Sequence, residues 1–115
     1  KLVSGDSYIL FKDKSKVKKR IAADTLNKDG HPSFSNMSND RFITDTYPGI
    51  EHKCDLLLYS FENDKVEVID RLDSIPEYDE SPLRCDLHPK WSFCGKYVSI
   101  DTMNDGCRGI YLYKV

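Results

Sequence analysis

An all-β chain built from a recurring four-stranded antiparallel unit is what the sequence predicts. Three observations lead there. First, a block recurs: His31-Pro-Ser-Phe-Ser and His88-Pro-Lys-Trp-Ser stand 57 residues apart, and Asp45-Thr46 and Asp101-Thr102 stand 56 apart. Second, the runs between turns are apolar and aromatic with no helical periodicity, as short strands are. Third, turn residues punctuate them: Glu62-Asn63-Asp64, Phe93-Cys94-Gly95 and Asn104-Asp105-Gly106.

The elements follow in order. Each unit holds strands a, b, c and d. The first 29 residues supply the end of one unit, with c at Tyr8–Lys12 and d at Val17–Ala22. Residues 30–72 make a full unit: a at Pro32–Ser35, b at Arg41–Asp45, c at Asp55–Phe61, d at Lys65–Leu72. Residues 73–87 are a long connection with Pro76 and Pro82, and long loops more often carry function. Residues 88–115 give three strands: a at Pro89–Ser92, b at Lys96–Asp101, c at Gly109–Lys114. Cys54 and Cys107 are expected to be repeat equivalents. Four antiparallel strands per unit at this period predict about two and a half blades of a β-propeller. A closed ring takes at least about four blades. The expectation is therefore a fragment of a longer ring, or several copies assembling through exposed strand edges near Tyr8–Ala22 and Gly109–Val115. A two-sheet sandwich of nine short strands is the alternative.

Composition narrows the function classes. The chain has 115 residues, 13.3 kDa and a net charge of −2, which suits one domain and gives no case for nucleic acid. The longest apolar run, Leu56-Leu57-Leu58-Tyr59, is too short to span a membrane. Charge is uneven: residues 12–20 carry six bases and one acid, residues 62–80 eight acids and two bases. The alternating lysines read as protection of an edge strand rather than a phosphate site. The four cysteines make no CxxC and are sparse for a disulfide scaffold, so thiols and a cytoplasmic setting are expected. His52-x-Cys54 with Cys85-x-x-His88 is a minor zinc-site alternative.

At Trp91-Ser-Phe-Cys-Gly-Lys-Tyr-Val, Asp101, Asn104-Asp105-Gly106 and Ile110-Tyr-Leu-Tyr the chain resembles the TolB-like, WD-type propeller repeat. Phe93-Cys94 stand where that repeat has Pro-Asp. Gly30-His-Pro-Ser-Phe-Ser with Asp45-Thr-Tyr-Pro, and Arg84-Cys-Asp-Leu-His-Pro-Lys-Trp-Ser, are similar to the branch that includes oligogalacturonate lyases and polysaccharide-locus relatives. The resemblance covers residues 30–115 well and the first 29 weakly. It implies the C-terminal part of a larger propeller that binds an acidic saccharide or a protein partner. It also implies, as the alternative, part of a metal-assisted lyase. In those lyases several His and a Gln hold the metal; this chain has no Gln, so that ligand set is incomplete and no turnover by these 115 residues alone is expected.

Strand order places the candidate residues. The d–a and b–c connections share one end of the units, which gathers His31, His88, His52, Asp45, Tyr47, Arg84 and Asp86 there. His31 and His88 suit a divalent metal, Zn or Mn, with Asp86 or Asp45 adding oxygen. They could equally act as bases, or bond to neighbouring backbone as part of the repeat. Arg84 would grip a sugar carboxylate through two bonds. Asp45, Thr46, Asp101 and Thr102 most simply bond to loop backbone.

Overall fold

A computed structural model describes residues 6–115 of the chain. Among the described residues nine strands form three antiparallel sheets: β1 (Tyr8–Phe11) and β2 (Lys18–Ile21); β3 (Ser33–Phe34), β4 (Arg41–Asp45), β5 (Lys53–Ser60) and β6 (Lys65–Asp73); β7 (Lys90–Trp91), β8 (Tyr97–Thr102) and β9 (Gly109–Lys114). Within each sheet the strands lie in chain order. We call these sheets 1, 2 and 3. The chain is all-β, and one 3-10 turn, Pro76–Tyr78, sits in the long connection. No helix among the described residues is long and apolar enough to cross a membrane.

The sheets stack in series, with sheet 2 in the middle. Residues alternate in direction along a strand, so one sheet can feed two cores. Ile43, Cys54, Leu56 and Leu72 of sheet 2 bury against Trp91, Val98 and Ile100 of sheet 3, with Leu87. Phe42, Leu57 and Tyr59 point the other way and bury with Ile21 and Leu26, against Tyr8 and Leu10 of sheet 1. Hydrogen bonds tie the layers. The Tyr8 hydroxyl lies 2.7 Å from Thr44 Oγ1, Trp91 Nε1–H donates to the Ser33 carbonyl at 2.9 Å, and the Tyr113 hydroxyl donates to Asp70 at 2.7 Å. Strands β3 and β7, from different sheets, approach within 8 Å at Cα.

Strand a pairs over only two residues in each copy, shorter than the four expected. Pro32 and Pro89 precede these ladders and bring no N–H to them. The ladders also fix the repeat register. Phe34 pairs with Phe42 as Trp91 does with Val98, and Asp45 with Leu56 as Asp101 does with Ile110. Cys54 therefore corresponds to Arg108, and Cys107 falls one position earlier. Phe34 and Trp91 do share one repeat position, but Trp91 is 8% exposed and Phe34 45%. Trp91 lies against the four-stranded sheet 2, and Phe34 lies beside a sheet 1 of two strands.

Candidate functional site

The entry segments to β3 and β7 meet at the end of β4, and Asp45 joins them. Its side chain is fully buried. Oδ1 accepts the His31 backbone N–H at 2.6 Å, and Oδ2 accepts the His88 backbone N–H at 3.0 Å. The His31 ring stands over the same carboxylate, with Nδ1 3.1 and 3.2 Å from its two oxygens. An ionised carboxylate can only accept, so Nδ1 is the donor of this contact, and in the neutral imidazole the lone pair is then on Nε2. The chain must pass very close here: a Cβ on Gly30 would lie 1.9 Å from the Asp45 carbonyl oxygen.

The two imidazoles then lie together, with centroids 4.2 Å apart and planes tilted by 56°. His88 reaches this position with φ of +43°, a left-handed conformation that costs a non-glycine residue about 1 kcal/mol or more. Asp86 completes the group. His31, Asp86 and His88 each offer one donor atom, all within 4.8 Å of one another. His31 and Asp86 are half-buried and His88 is exposed, so the cluster opens to solvent.

Arg84 and Tyr47 frame it. Arg84 Nε–H donates to Asp86 Oδ1 at 2.7 Å and an Nη2–H to Oδ2 at 3.1 Å. The guanidinium carbon sits 4.5 Å from the centre of the Tyr47 ring, and that ring meets His31 edge-on at 5.5 Å. The Asp86 bonds hold the Arg84 guanidinium above its usual value. Its two-bond carboxylate grip is thus made within the chain, to Asp86, rather than left open for a ligand.

His52 is placed elsewhere. Its Nδ1 bonds to Asp79 at 2.7 Å, and its backbone carbonyl accepts the Ser74 N–H and hydroxyl. This ties the β4–β5 loop to the long connection, beside an open cleft of about 410 Å³. Sequence reasoning missed Asp79, because an acid inside an acidic run carries no sign of its partner. The cysteines are free thiols, and burial, then the nearby Asp45 and Asp86, pushes the Cys54 thiol up to about 12. Neither Cys54 nor Cys85 joins a candidate metal cluster among the described residues.

No family model matches the chain, and no curated protein matches it in sequence.

Proposed function

We propose that the three sheets are consecutive blades of a propeller-type array, and that the junction of sheets 2 and 3 binds a divalent cation and through it an acidic saccharide. The stacking of sheets in chain order, with β3 and β7 converging, supports the array. The observation that carries the site is the His31–Asp86–His88 cluster, three donors from two units and the connection between them within 4.8 Å. Two imidazoles and a carboxylate suit zinc or manganese. The surroundings fit that donor set. Asp45 fixes the ring nitrogen through which His31 can coordinate, and Arg84 orients Asp86, as partners behind metal ligands do. A cation there would attract a uronic carboxylate into the open side of the cluster.

The test is calorimetric titration of the chain with Zn²⁺ and Mn²⁺, then with a galacturonate oligomer in the presence of the metal. One cation per chain is expected, weakened at least about tenfold by His31→Ala, and about tenfold to a hundredfold by Arg84→Ala. Saccharide binding is expected only with metal present. A wild-type chain that takes up neither cation overturns the site.

The Asp45–His31 pair favours a second reading. A histidine with Nδ1 held by a carboxylate presents a basic Nε2, which could remove the proton beside a uronate carboxylate as the glycosidic oxygen leaves. The unsaturated product would absorb in the ultraviolet, and a flat absorbance trace leaves the binding reading alone.

A further inference from the structure

Each sheet has a back, toward the preceding sheet, and a front, toward the following one. In sheet 2 the fronts of β4 and β5 are Ile43, Leu56 and Leu58, and sheet 3 covers them. By the repeat register Ile110 and Leu112 are the equivalents of Leu56 and Leu58, yet they are 74% and 68% exposed. The outer edge of β9 has no strand partner among the described residues. Sheet 3 thus offers a strand with a free backbone edge and two apolar side chains on one face.

The other end of the stack offers the reciprocal shape. The first edge of β1, where β4 and β8 sit in the other sheets, has no strand partner among the described residues. Two adjoining cavities of about 380 and 230 Å³ run along it. Their floor is the aromatic back of sheet 2, Phe34, Phe42 and Phe61, and their wall is β1 itself. The groove prolongs the interface already made by sheets 1 and 2.

Charge repeats the match. The back of sheet 1 presents Lys18 opposite Phe11 and Arg20 opposite Ile9, all exposed. The front of β6, beside the free edge of β9, presents Glu67 opposite Leu58 and Asp70 opposite Leu56. Among the described residues sheet 3 has no fourth strand to lie over these acids, and of the two only Asp70 is reached from sheet 3, by the Tyr113 hydroxyl.

We propose that the chain self-associates head to tail, the edge of β9 in one copy pairing with the edge of β1 in the next. Ile110 and Leu112 enter the aromatic groove, and Lys18 and Arg20 of the second copy lie over Glu67 and Asp70 of the first. Because β1 and β9 are equivalent strands, front facing back makes this pair parallel. The joined strands form one sheet between the two copies' central sheets, with the contact seen inside each chain repeated between chains. The two surfaces are different, so the association is heterologous and continues to a ring or a filament. The proposal does not depend on the metal site.

Light scattering and sedimentation of the purified chain test it. The wild type is expected to form multimers as concentration rises, and salt to weaken them. Ile110→Lys with Leu112→Lys removes one surface, and Phe34→Asp removes the other. Each is expected to raise the dissociation constant at least about tenfold and leave monomers. An equimolar mixture of the two variants retains one intact surface of each kind and is expected to stop at heterodimers. Circular dichroism like that of the wild type certifies that each variant is folded. A wild type monomeric up to its solubility limit overturns the proposal, and so does multimer formation by either folded variant alone.

Discussion

Asp45 makes two oxygens serve three donors: the backbone N–H groups of His31 and His88 and the His31 ring. A buried carboxylate is costly unless its acceptor sites are filled, and here they are. Asp45→Asn keeps one acceptor and turns an amide N–H₂ toward a backbone donor. Breaking a buried, charge-assisted arrangement of this kind costs about 3 kcal/mol. The urea midpoint of Asp45→Asn is expected to fall accordingly, with the slope unchanged. A loss under about 0.5 kcal/mol would mean that the junction does not depend on this carboxylate. That Asp45 accepts loop backbone was legible in the sequence; its repeat equivalent Asp101 makes no such side-chain bond among the described residues. Which loops Asp45 would hold was not legible, because one of them enters through the stacking of sheet 3 on sheet 2. The Arg84 pairing was hidden for the same kind of reason: an Arg two residues before an Asp can reach outward or inward, and only the Tyr47 ring beneath it selects inward.

Among the elements, strand b at Arg41–Asp45 and strand c at Gly109–Lys114 were readable to the residue. Both are bounded by turns; β9 alternates in burial along its length, whereas β4 is buried on both faces from Phe42 to Asp45. The unequal fates of Phe34 and Trp91 were not readable. The two occupy one repeat position, and what separates them is the width of the sheet each one faces. Trp91 also receives the Arg41 guanidinium, 5.1 Å from its ring centre, and donates to the Ser33 carbonyl. Trp91→Ala is therefore expected to cost about 3–5 kcal/mol, the usual range for a buried aromatic. Phe34→Ala is expected to cost about 1 kcal/mol in the monomer, since nearly half of the side chain is already in water. Chemical unfolding of both variants, at concentrations that keep them monomeric, checks the contrast. Equal losses would show that the β3–β4 back face is covered in solution even in the monomer.

The described residues form a stack in which sheet 2 packs on sheet 1 through one face and on sheet 3 through the other. Stability in such arrays is roughly a sum of unit and interface contributions, so the ends open before the middle. Sheet 2 has both faces covered, and β4 and β5 hold its most buried run, with Phe42, Ile43 and Leu56 at 2% exposure or less. Sheet 1 has two strands of four residues each, and only Ile21 among its strand residues is buried. An isolated two-stranded ribbon is marginal in water, so sheet 1 persists only through Tyr8, Leu10 and Ile21 packed on sheet 2. Native-state hydrogen exchange should therefore be graded. The amides of β4 and β5 are expected to exchange only through global unfolding, with a denaturant dependence matching the equilibrium slope. Those of β1 and β2 are expected to exchange through a smaller opening that leaves sheets 2 and 3 intact. Protection of β1 equal to that of β5 in the monomer would mean that the three sheets unfold as one unit. Protection of β1 and β9 that rises together with protein concentration, while β5 stays constant, is the pattern expected when the two end strands pair between copies.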